Sequence, residues 1–298
     1  MRSVRMLAAH VGISVLVVVT PVAGAAGDIY VDDSHLGPFL GTPTNPFKTI
    51  HDAIISPAVS DDTIHVASGT YNAALGEVFP IEVPEGVTIE GPPTGSLPVI
   101  GGDLIDEEVP ATSLVQIVTT STTGDISGIE LRRLRFLGEN ETEADSPIAL
   151  RVIATNGNDV TNFVFEYNEC TRPAQNDGGE NGWSAVRIEV QDAEVGGFIC
   201  NNSIEVSQRG GIEIIAKATS STAPVQLNNL HIDRNYVTNV NGSTALFGIA
   251  HHAIDGGSAT VEMYGPTSIS GNTVRGRGEG IWNGIEVMRG AVRLQPPR

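Results

Sequence analysis

The chain has 298 residues, with 34 glycines, 17 prolines and 5% aromatic residues, and its formal charge at pH 7 is −18. This charge is concentrated near the N-terminus, where 15 acidic residues from Asp28 to Asp125 face a single base, Lys48. The balance argues against nucleic acid as a partner, because phosphate binding needs clustered lysine and arginine. The glycine- and proline-rich composition argues against a helical bundle and predicts short β-strands separated by turns.

Residues 1–25 have the pattern of a secretory signal peptide. Arg2 and Arg5 precede an apolar run over 11–19, and Ala23-Gly24-Ala25 has the small residues of a cleavage site. The apolar run is too short to span a bilayer comfortably. We therefore expect a secreted or cell-surface protein with no membrane span after signal removal; a retained anchor is the alternative. Residues 26–298 are predicted to form a single domain.

An amphipathic helix is predicted over 46–55. Asn45 can cap this helix, and Pro46 suits its first position. The apolar residues that follow on one face are Phe47, Ile50, Ile54 and Ile55. Strand-like runs come next, at 62–67, 78–83 and 87–89, each closed by glycine or proline.

From Ile129 onward, an apolar-x-x-Asn-x-apolar motif recurs. Its asparagines are 34, 33 and 37 residues apart, in the copies Phe165/Asn168/Cys170, Ile199/Asn202/Ile204, Ile232/Asn235/Val237 and Ile269/Asn272/Val274. Leu131/Leu134/Phe136 fits the same frame one step upstream, with leucine at the asparagine position. The near-constant spacing, rather than the motif itself, distinguishes the pattern from chance.

A second apolar register advances together with the first. Its members are Leu150-x-Val152, Val186-x-Ile188, Ile212-x-Ile214, Ile249 and Ile285-x-Val287. Strand-turn-strand units of this length, without helices between them, predict an all-β solenoid. Each coil of a solenoid buries its apolar face by stacking on its neighbours.

Stacking also explains why a polar asparagine lies inside each apolar motif. At the corner between two strands one residue must often adopt a left-handed backbone, which asparagine tolerates. Its amide can then hydrogen-bond to the equivalent asparagine of the next coil, so that repetition satisfies a buried polar group. Asn202 is the predicted member of this ladder, and Asn201 is predicted to face outward.

Cys170 and Cys200 are the only cysteines of the chain. Secretion would allow them to form a disulfide. The predicted register points Cys170 inward and Cys200 outward, which disfavours that pairing and leaves the disulfide as the alternative.

Four segments carry a resemblance to a known family: IYVDD (29–33), NPFKTIHDAI (45–54), DDTIHVASGTY (61–71) and EVFPIEVPEGVTIEG (77–91). Through them the chain resembles the bacterial DUF1565 domain, within the pectate-lyase-like superfamily of right-handed parallel β-helix proteins. The resemblance implies a right-handed parallel β-helix, with a DUF1565-like part over 26–100 and repeat coils over 101–298. It also implies that the early helix is an N-terminal cap, in which Phe47, Ile50 and Ile54 are structural. The family has no established activity, so none is implied.

Arginines and carboxylates of the repeat region are candidate catalytic residues, since polysaccharide lyases on this fold typically combine carboxylate-bound Ca²⁺ with a basic residue. Residues displaced by whole coils lie side by side, which places Glu213 and Glu286 on one face with Arg187. Arg209 and Arg234 are the candidate bases. The alternative is an ordinary solvated face, because alternate strand positions carry charge wherever the other face is buried.

Two further segments are candidate sites. His252 and Asp255 form a candidate pair, while neighbouring His251 would point to the opposite face of a strand. The oxygen-rich loop 176–182 makes Asp177 and Glu180 candidate Ca²⁺ ligands, with a solvent-exposed insertion between coils as the alternative.

We expect a secreted or cell-surface protein that binds an extracellular polysaccharide or a surface protein along one face of the solenoid. A polysaccharide lyase or glycoside hydrolase on the same fold is the first alternative, and a structural or adhesive repeat element is the second. Fold analogy alone does not decide between them.

Overall fold

The structure is a computed structural model that describes residues 27–56, 61–101, 113–120, 123–138, 148–171, 184–206, 210–219, 225–239, 244–255, 261–264, 267–276, 280–288 and 292–294. Within these ranges, the backbone alone is described at 244–246, 253–255, 261–264, 280, 282–283, 286–288 and 292–294.

The described chain consists almost entirely of short β-strands. Helix α1 (Ile50–Ile55) and a 3₁₀ turn (Ala73–Leu75) are its helical elements. The strands, in chain order, are β1 (Asp28–Val31), β2 (Thr63–Val66), β3 (Thr70–Tyr71), β4 (Ile81–Glu82), β5 (Thr88–Glu90), β6 (Val99–Gly101), β7 (Ser113–Val118), β8 (Ile126–Ser127), β9 (Glu130–Arg132), β10 (Arg135–Leu137), β11 (Ile148–Thr155), β12 (Val160–Glu166), β13 (Glu169–Thr171), β14 (Val186–Gln191), β15 (Glu194–Cys200), β16 (Ser203–Val206), β17 (Gly210–Ala218), β18 (Val225–Asp233), β19 (Tyr236–Asn239), β20 (Thr244–Asp255), β21 (Val261–Tyr264), β22 (Ser268–Ser270), β23 (Thr273–Arg275), β24 (Gly280–Met288) and β25 (Val292–Leu294).

These strands form three parallel sheets, and successive coils of the chain add strands to each sheet in turn. The first sheet contains β1, β2, β5, β8, β9, β12, β15, β18, β21, β22 and β25. The second contains β3, β6, β10, β13, β16, β19 and β23, and the third contains β4, β7, β11, β14, β17, β20 and β24. The predicted all-β solenoid is confirmed. Its right-handed sense of winding and the capping role of α1 stay predictions.

The register of the sheets confirms both sequence repeats. Phe165 pairs with Leu131 and Ile199 in the first sheet, and Cys170 pairs with Phe136 and Ile204 in the second. The second apolar register runs along the third sheet from Leu150 through Val186, Ile212 and Ile249 to Ile285. The inward side chains stack into one continuous buried core from Val31 to Ile249.

The asparagine ladder exists as predicted, and each amide reaches back to the preceding coil. Oδ1 of Asn202 accepts a hydrogen bond from the backbone N–H of Asn168 at 2.9 Å. Its Nδ2 donates to the carbonyl of Phe165 and to Oδ1 of Asn235, both at 2.9 Å. Asn272 continues the ladder by accepting from the backbone N–H of Asn235 at 2.8 Å. Buried backbone groups at the corner are thereby satisfied coil by coil.

The left-handed residue is not the ladder asparagine, contrary to the sequence prediction. Positive φ occurs one position earlier, at Arg133, Tyr167, Asn201 and Arg234. The left-handed backbone and the inward amide therefore belong to two consecutive residues of the corner. The first residue makes the left-handed turn and the second points its amide inward, which explains why Asn201 and Asn202 occur as a pair.

Leucine occupies the ladder position in one coil because the coil before it offers no backbone donor. The N–H of Arg135 donates to the carbonyl of Pro98 at 2.9 Å, just as the N–H of Glu169 donates to the carbonyl of Leu134. Pro98 is thus the equivalent of Leu134, and proline has no N–H. An amide at position 134 would find no donor there, so an apolar side chain fits the position.

Both cysteine sulfurs are buried, and they do not form a disulfide. Cys170 faces the core. Cys200 lies in the outward row between Glu166 and Asp233 of the neighbouring coils, so outward orientation does not make it exposed. Burial and the charge of Glu166 raise the pKa of the Cys200 thiol to about 11, which keeps it protonated and unreactive.

Helix α1 is shorter than predicted and begins later. Thr49, not Asn45, is its N-cap, and its hydroxyl accepts from the N–H of Asp52 at 3.0 Å. Buried Glu77 accepts from the N–H groups of Ile50 and His51, both at 2.8 Å. Burial raises the pKa of the Glu77 carboxyl.

The inward face of α1 also differs from the prediction. Ile50 and Ala53 are buried, and Ile54 and Phe47 pack against the core, whereas Ile55 is 67% exposed. Among the residues that the structure describes, no helix has the length and apolar character needed to cross a membrane.

Candidate functional site

The outer surface of the first sheet is a long polar face with exposed aromatic rings, which we call the first-sheet face. It is built by strand alternation: Ile199 and Ile232 point into the core, so their neighbours point outward. Its central residues are Glu166, Tyr167, Phe198, Asn201, His231, Asp233, Arg234 and Ser268. Parallel stacking places each of these side chains beside its counterparts in the coils before and after.

Phe198 and His231 form a stacked aromatic pair on this face. Their ring centroids lie 4.9 Å apart with an interplanar angle of 8°. The pair is open to solvent on one side, because Phe198 remains 43% exposed. The two rings are parallel and come from successive coils, and we call this stacked pair the aromatic platform.

The imidazole of the platform is fixed by a hydroxyl and a carboxylate. Ser268 donates its proton to Oδ1 of Asp233 at 3.0 Å. Since a serine hydroxyl has one proton, its oxygen is left to accept from Nδ1–H of His231, which lies at 2.9 Å. The platform is therefore held rigidly, and Asp233 presents polar atoms at its edge.

The corner beside the platform carries a row of left-handed residues that are not glycine. Arg234 donates from Nε to Oδ1 of Asn201 at 3.0 Å, and Asn201 donates from Nδ2 to Glu166 at 3.1 Å. Tyr167 is the next member of this row, with φ of 57° and an exposed fraction of 54%. A left-handed backbone costs about 1–2 kcal/mol for a residue with a bulky side chain.

The face continues toward the N-terminus as a chain of ion pairs. His65 lies 2.9 Å from Asp28 and 3.2 Å from Glu90, and it stacks on Tyr30 with centroids 5.0 Å apart. Glu90 also pairs with Arg133. Carboxylates therefore lie beside imidazole and guanidinium groups along this part of the face.

A second polar cluster, the Glu213 cluster, lies on the outer side of the third sheet. Glu213 is 0% exposed although its strand neighbours Ile212 and Ile214 face the core. Ser184 donates to its Oε2 at 2.9 Å, Nδ1 of His252 lies 3.4 Å from its Oε1, and Nη1 of Arg187 lies 3.8 Å from its Oε2. A buried carboxylate of this kind requires such compensation.

His252 is mostly buried, with 19% of its side chain exposed, against 0% for the carboxylate that it faces. The edge of its ring meets Phe247, with centroids 5.7 Å apart. Phe247 occupies the space left by Gly210, where a Cβ atom would collide with the phenyl ring. Within the described part of the chain, the buried Nε2 of His252 has no hydrogen-bond partner.

The two adjacent histidines lie on opposite faces of strand β20. His251 aligns with core residue Ile214, whereas His252 aligns with Ile215. Burial, followed by the neighbouring charge of His252, lowers the pKa of His251. His251 is thus a neutral core side chain at neutral pH. The two rings cannot share one ligand.

The structure brings some of the predicted site residues together and separates others. Glu213, His252 and Arg187 form one cluster on the third sheet, whereas Arg234 lies at the corner of the first sheet. The backbones of Asp255 and Glu286 pair in register with Ala218 and Ala250, and their side chains lie outside the described residues. Arg209, Asp177 and Glu180 also lie outside the described residues.

No group of three or more potential metal-ligating side chains is present among the described residues. The Ca²⁺ ligands predicted at Asp177 and Glu180 stay a prediction, because loop 176–182 lies outside that part of the chain.

Sequence reasoning missed the aromatic platform. Phe198, His231 and Ser268 each stand one residue before an inward isoleucine of the repeat, at Ile199, Ile232 and Ile269. Aligning the residues before each isoleucine would have placed the three side chains in one outward row. The buried apolar and asparagine positions recur from coil to coil, whereas the outward residues differ in type and give no recurring motif.

The family model described as "Protein of unknown function (DUF1565)" matches residues 37–293. Among solved structures, the chain is similar to pectin methylesterase PemA from Erwinia chrysanthemi, at 12% identity over 83% of this chain and 81% of that chain, with a TM-score of 0.34. It is also similar to a GH136 lacto-N-biosidase from Eubacterium ramulus, at 12% identity over 90% of this chain and 68% of that chain, with a TM-score of 0.33. No curated protein matches the chain significantly. Since the family model spans most of the sequence, the chain belongs to the DUF1565 family.

Proposed function

We propose that the protein binds carbohydrate along the first-sheet face, with the aromatic platform of Phe198 and His231 as the central contact. The observation that carries this proposal is the platform itself: two rings stacked at 4.9 Å and 8°, with Phe198 43% exposed on an otherwise polar surface. A sugar ring has an apolar C–H face and a rim of hydroxyl groups. It can therefore pack against the exposed part of the Phe198 ring while its hydroxyl groups meet the hydrogen-bonding groups around it.

The residues around the platform supply such a border. Asp233 offers acceptor oxygens, and Arg234 and Asn201 at the corner offer donors and acceptors in fixed positions. Because these groups already hydrogen-bond to one another, they lose little conformational entropy when a ligand arrives. A long face built from repeated coils also fits a polymer better than a single small molecule.

The strained backbone of Tyr167 supports a functional role for this corner. An exposed tyrosine with positive φ costs stability, and Asn201 in the next coil occupies the same position at lower cost. Asparagine or glycine would adopt this left-handed backbone at a lower free-energy cost. The presence of tyrosine therefore favours a role for its side chain. Tyr167 would add a further ring to the polysaccharide contact.

The burial of Glu213 argues against a direct role for this candidate carboxylate in glycosidic bond cleavage. A lyase or hydrolase needs a carboxylate or base that touches the substrate. Glu213 is 0% exposed and its oxygens face Ser184, His252 and Arg187. We further propose that the protein acts outside the cytoplasm, on the signal-peptide pattern of residues 1–25.

Replacing Phe198 by alanine is expected to weaken glycan binding by at least about fivefold, since it removes the exposed ring of the platform, worth about 1 kcal/mol. A glycan array on the mature protein would identify the ligand, and isothermal titration would measure the change in Kd.

Phe39 offers a matched control for this substitution. It is also 43% exposed and also lies beside a histidine, His35, at 5.9 Å, but it is outside the first-sheet face. Phe39→Ala is expected to leave the Kd unchanged. Equal losses in the two variants would contradict the proposal. If no glycan binds and the protein self-associates, the result would favour the alternative of a structural or adhesive repeat element. Release of unsaturated ends from acidic polysaccharides would favour the lyase.

Replacing Tyr167 by asparagine is expected to stabilise the fold while weakening the same glycan. The substitution copies Asn201 and relieves the left-handed tyrosine, which should raise the free energy of unfolding by about 0.5–1 kcal/mol. Urea denaturation measures the gain, and titration with the glycan measures the loss. If the variant gains stability and keeps its full affinity for the glycan, Tyr167 does not contribute to glycan binding.

A further inference from the structure

A cleft of about 720 Å³ lies beside helix α1, and its lining includes none of the central residues of the first-sheet face. One side is formed by the helix, and the other by strands β4 and β7 together with the chain around them. Its walls are mainly apolar, with Ile54, Ile55, Val78, Phe79, Val83 and Val118 among the lining residues. This volume lies within the range of about 300–1,000 Å³ that is typical of small-molecule sites.

Two of these apolar side chains are unusually open to water. Ile55 is 67% exposed at the end of the helix, and Val78 is 49% exposed on the facing segment. Single exposed aliphatic residues are common on protein surfaces, but two that line one concave cleft mark a place where an aliphatic ligand would displace water.

The polar side chains that line the cleft include two carboxylates, Glu82 and Glu85, together with His51, Gln116 and Thr123. Glu82 accepts a hydrogen bond from Gln116 at 2.9 Å, and Glu85 accepts one from Ser127 at 3.2 Å. Both donors are neutral groups, and their hydrogen bonds hold the two carboxylates in place. None of the described residues that line the cleft is lysine or arginine.

The surrounding sequence strengthens this negative potential. Between Asp28 and Asp125 there are 15 acidic residues and only one base, Lys48. A concave apolar site with low-dielectric walls focuses such a field and raises the local concentration of cations. An anionic ligand would be repelled there, and a neutral ligand would gain nothing from the two carboxylates.

We propose that this cleft binds a small amphiphile with an aliphatic body and a protonated amine. The aliphatic body lies against Ile55, Val78 and Phe79, and the ammonium group lies toward Glu82 and Glu85. This site shares no residue with the first-sheet face, and the proposal stands or falls independently of glycan binding.

Three probes of equal chain length test the proposal on the mature protein at neutral pH. n-Octylamine is cationic, octanol is neutral and octanoate is anionic. We expect saturable binding of one octylamine per chain in isothermal titration, with octanoate binding at least about fivefold more weakly, because each exposed carboxylate contributes a factor of about 1.4–5. Octanol should fall between the two.

Charge-removing variants separate the cleft from the general acidity of the chain. Glu82→Gln combined with Glu85→Gln is expected to weaken octylamine about threefold to tenfold while leaving octanol unchanged. Glu169→Gln combined with Glu205→Gln removes the same charge from the second sheet and should leave octylamine unchanged. The proposal is overturned if octylamine shows no saturable binding, if octanoate binds equally well, or if the two double variants lose affinity equally.

Discussion

Replacing Asn202 by leucine is expected to lower the free energy of unfolding by about 4 kcal/mol. The substitution leaves the buried N–H of Asn168 and the carbonyl of Phe165 without their partners, and each buried unsatisfied group costs about 1–3 kcal/mol. It also removes one of the two hydrogen bonds to Oδ1 of Asn235. Urea denaturation followed by circular dichroism measures the change.

The size of this effect depends on the repeat architecture. Each coil of a solenoid is stabilised by its two neighbours, so a weakened coil loosens the stack on both sides. Asn202 lies between Asn168 and Asn235 in the ladder, and no nearby side chain of the apolar core can replace its amide. We therefore expect a lower unfolding midpoint, and a lower slope if the stack separates into two units.

The neighbouring residue offers a control of the same chemical type. Asn201→Gly removes an amide that bonds Glu166 and Arg234 at the surface, and glycine accepts the left-handed backbone easily. Its expected effect is within about 1 kcal/mol. If Asn202→Leu were as mild as Asn201→Gly, the ladder would not be what satisfies the corner.

Much of the solenoid could be predicted from sequence because its core obeys a strict geometric rule. Phe165, Ile199 and Ile232 must stack, so their spacing is constrained to one coil. The N-terminal coils show no fixed spacing in the sequence, because loops of unequal length separate Ile64, Ile89 and Leu131. These residues nevertheless pair in the same register. Solvent-exposed loops tolerate such insertions, and a fixed period is lost with them.

The helix start was predicted wrongly because Thr49 supplies the local cap and buried Glu77 adds a tertiary one. Asn45 and Pro46 satisfy the local rules for a helix start, but buried Glu77 binds the N–H groups of Ile50 and His51 and fixes the first turn there. A residue 27 positions away in the chain cannot be recognised as a cap from local sequence. Long-range hydrogen bonds of this kind override local propensity.

The candidate sites were harder to predict than the fold, since function lies on the outward positions that packing leaves unconstrained. Glu213 and Arg187 were expected on one face, and their strands do pair side by side. The partner of His252 could not be read from spacing, because Glu213 reaches it diagonally from the neighbouring coil. Burial of Glu213 on an outward position has no sequence signature.

Replacing Glu213 by alanine is expected to lower the free energy of unfolding by about 3 kcal/mol, because removing one partner of a buried ion pair is costly even though Arg187 keeps Glu189 at 3.0 Å. Arg187 would lose a carboxylate, and the hydroxyl of fully buried Ser184 would lose its acceptor. Glu213→Gln keeps an acceptor for Ser184 without the charge, so its cost should lie between those of alanine and the wild type. Urea denaturation measures both variants.

Glu169→Ala is the control for this cluster, since Glu169 is half exposed and lies 3.8 Å from Arg135 on the second sheet. Its expected cost is below about 1 kcal/mol. A comparably small cost for Glu213→Ala would mean that solvent or neighbouring groups already compensate the cluster. If Glu213→Gln kept full stability but abolished a glycan cleavage measured in the wild type, Glu213 would be catalytic, and binding alone would no longer describe the protein. If Glu213→Ala lowers the free energy of unfolding as expected but leaves the glycan affinity unchanged, the cluster belongs to the scaffold that supports the first-sheet face.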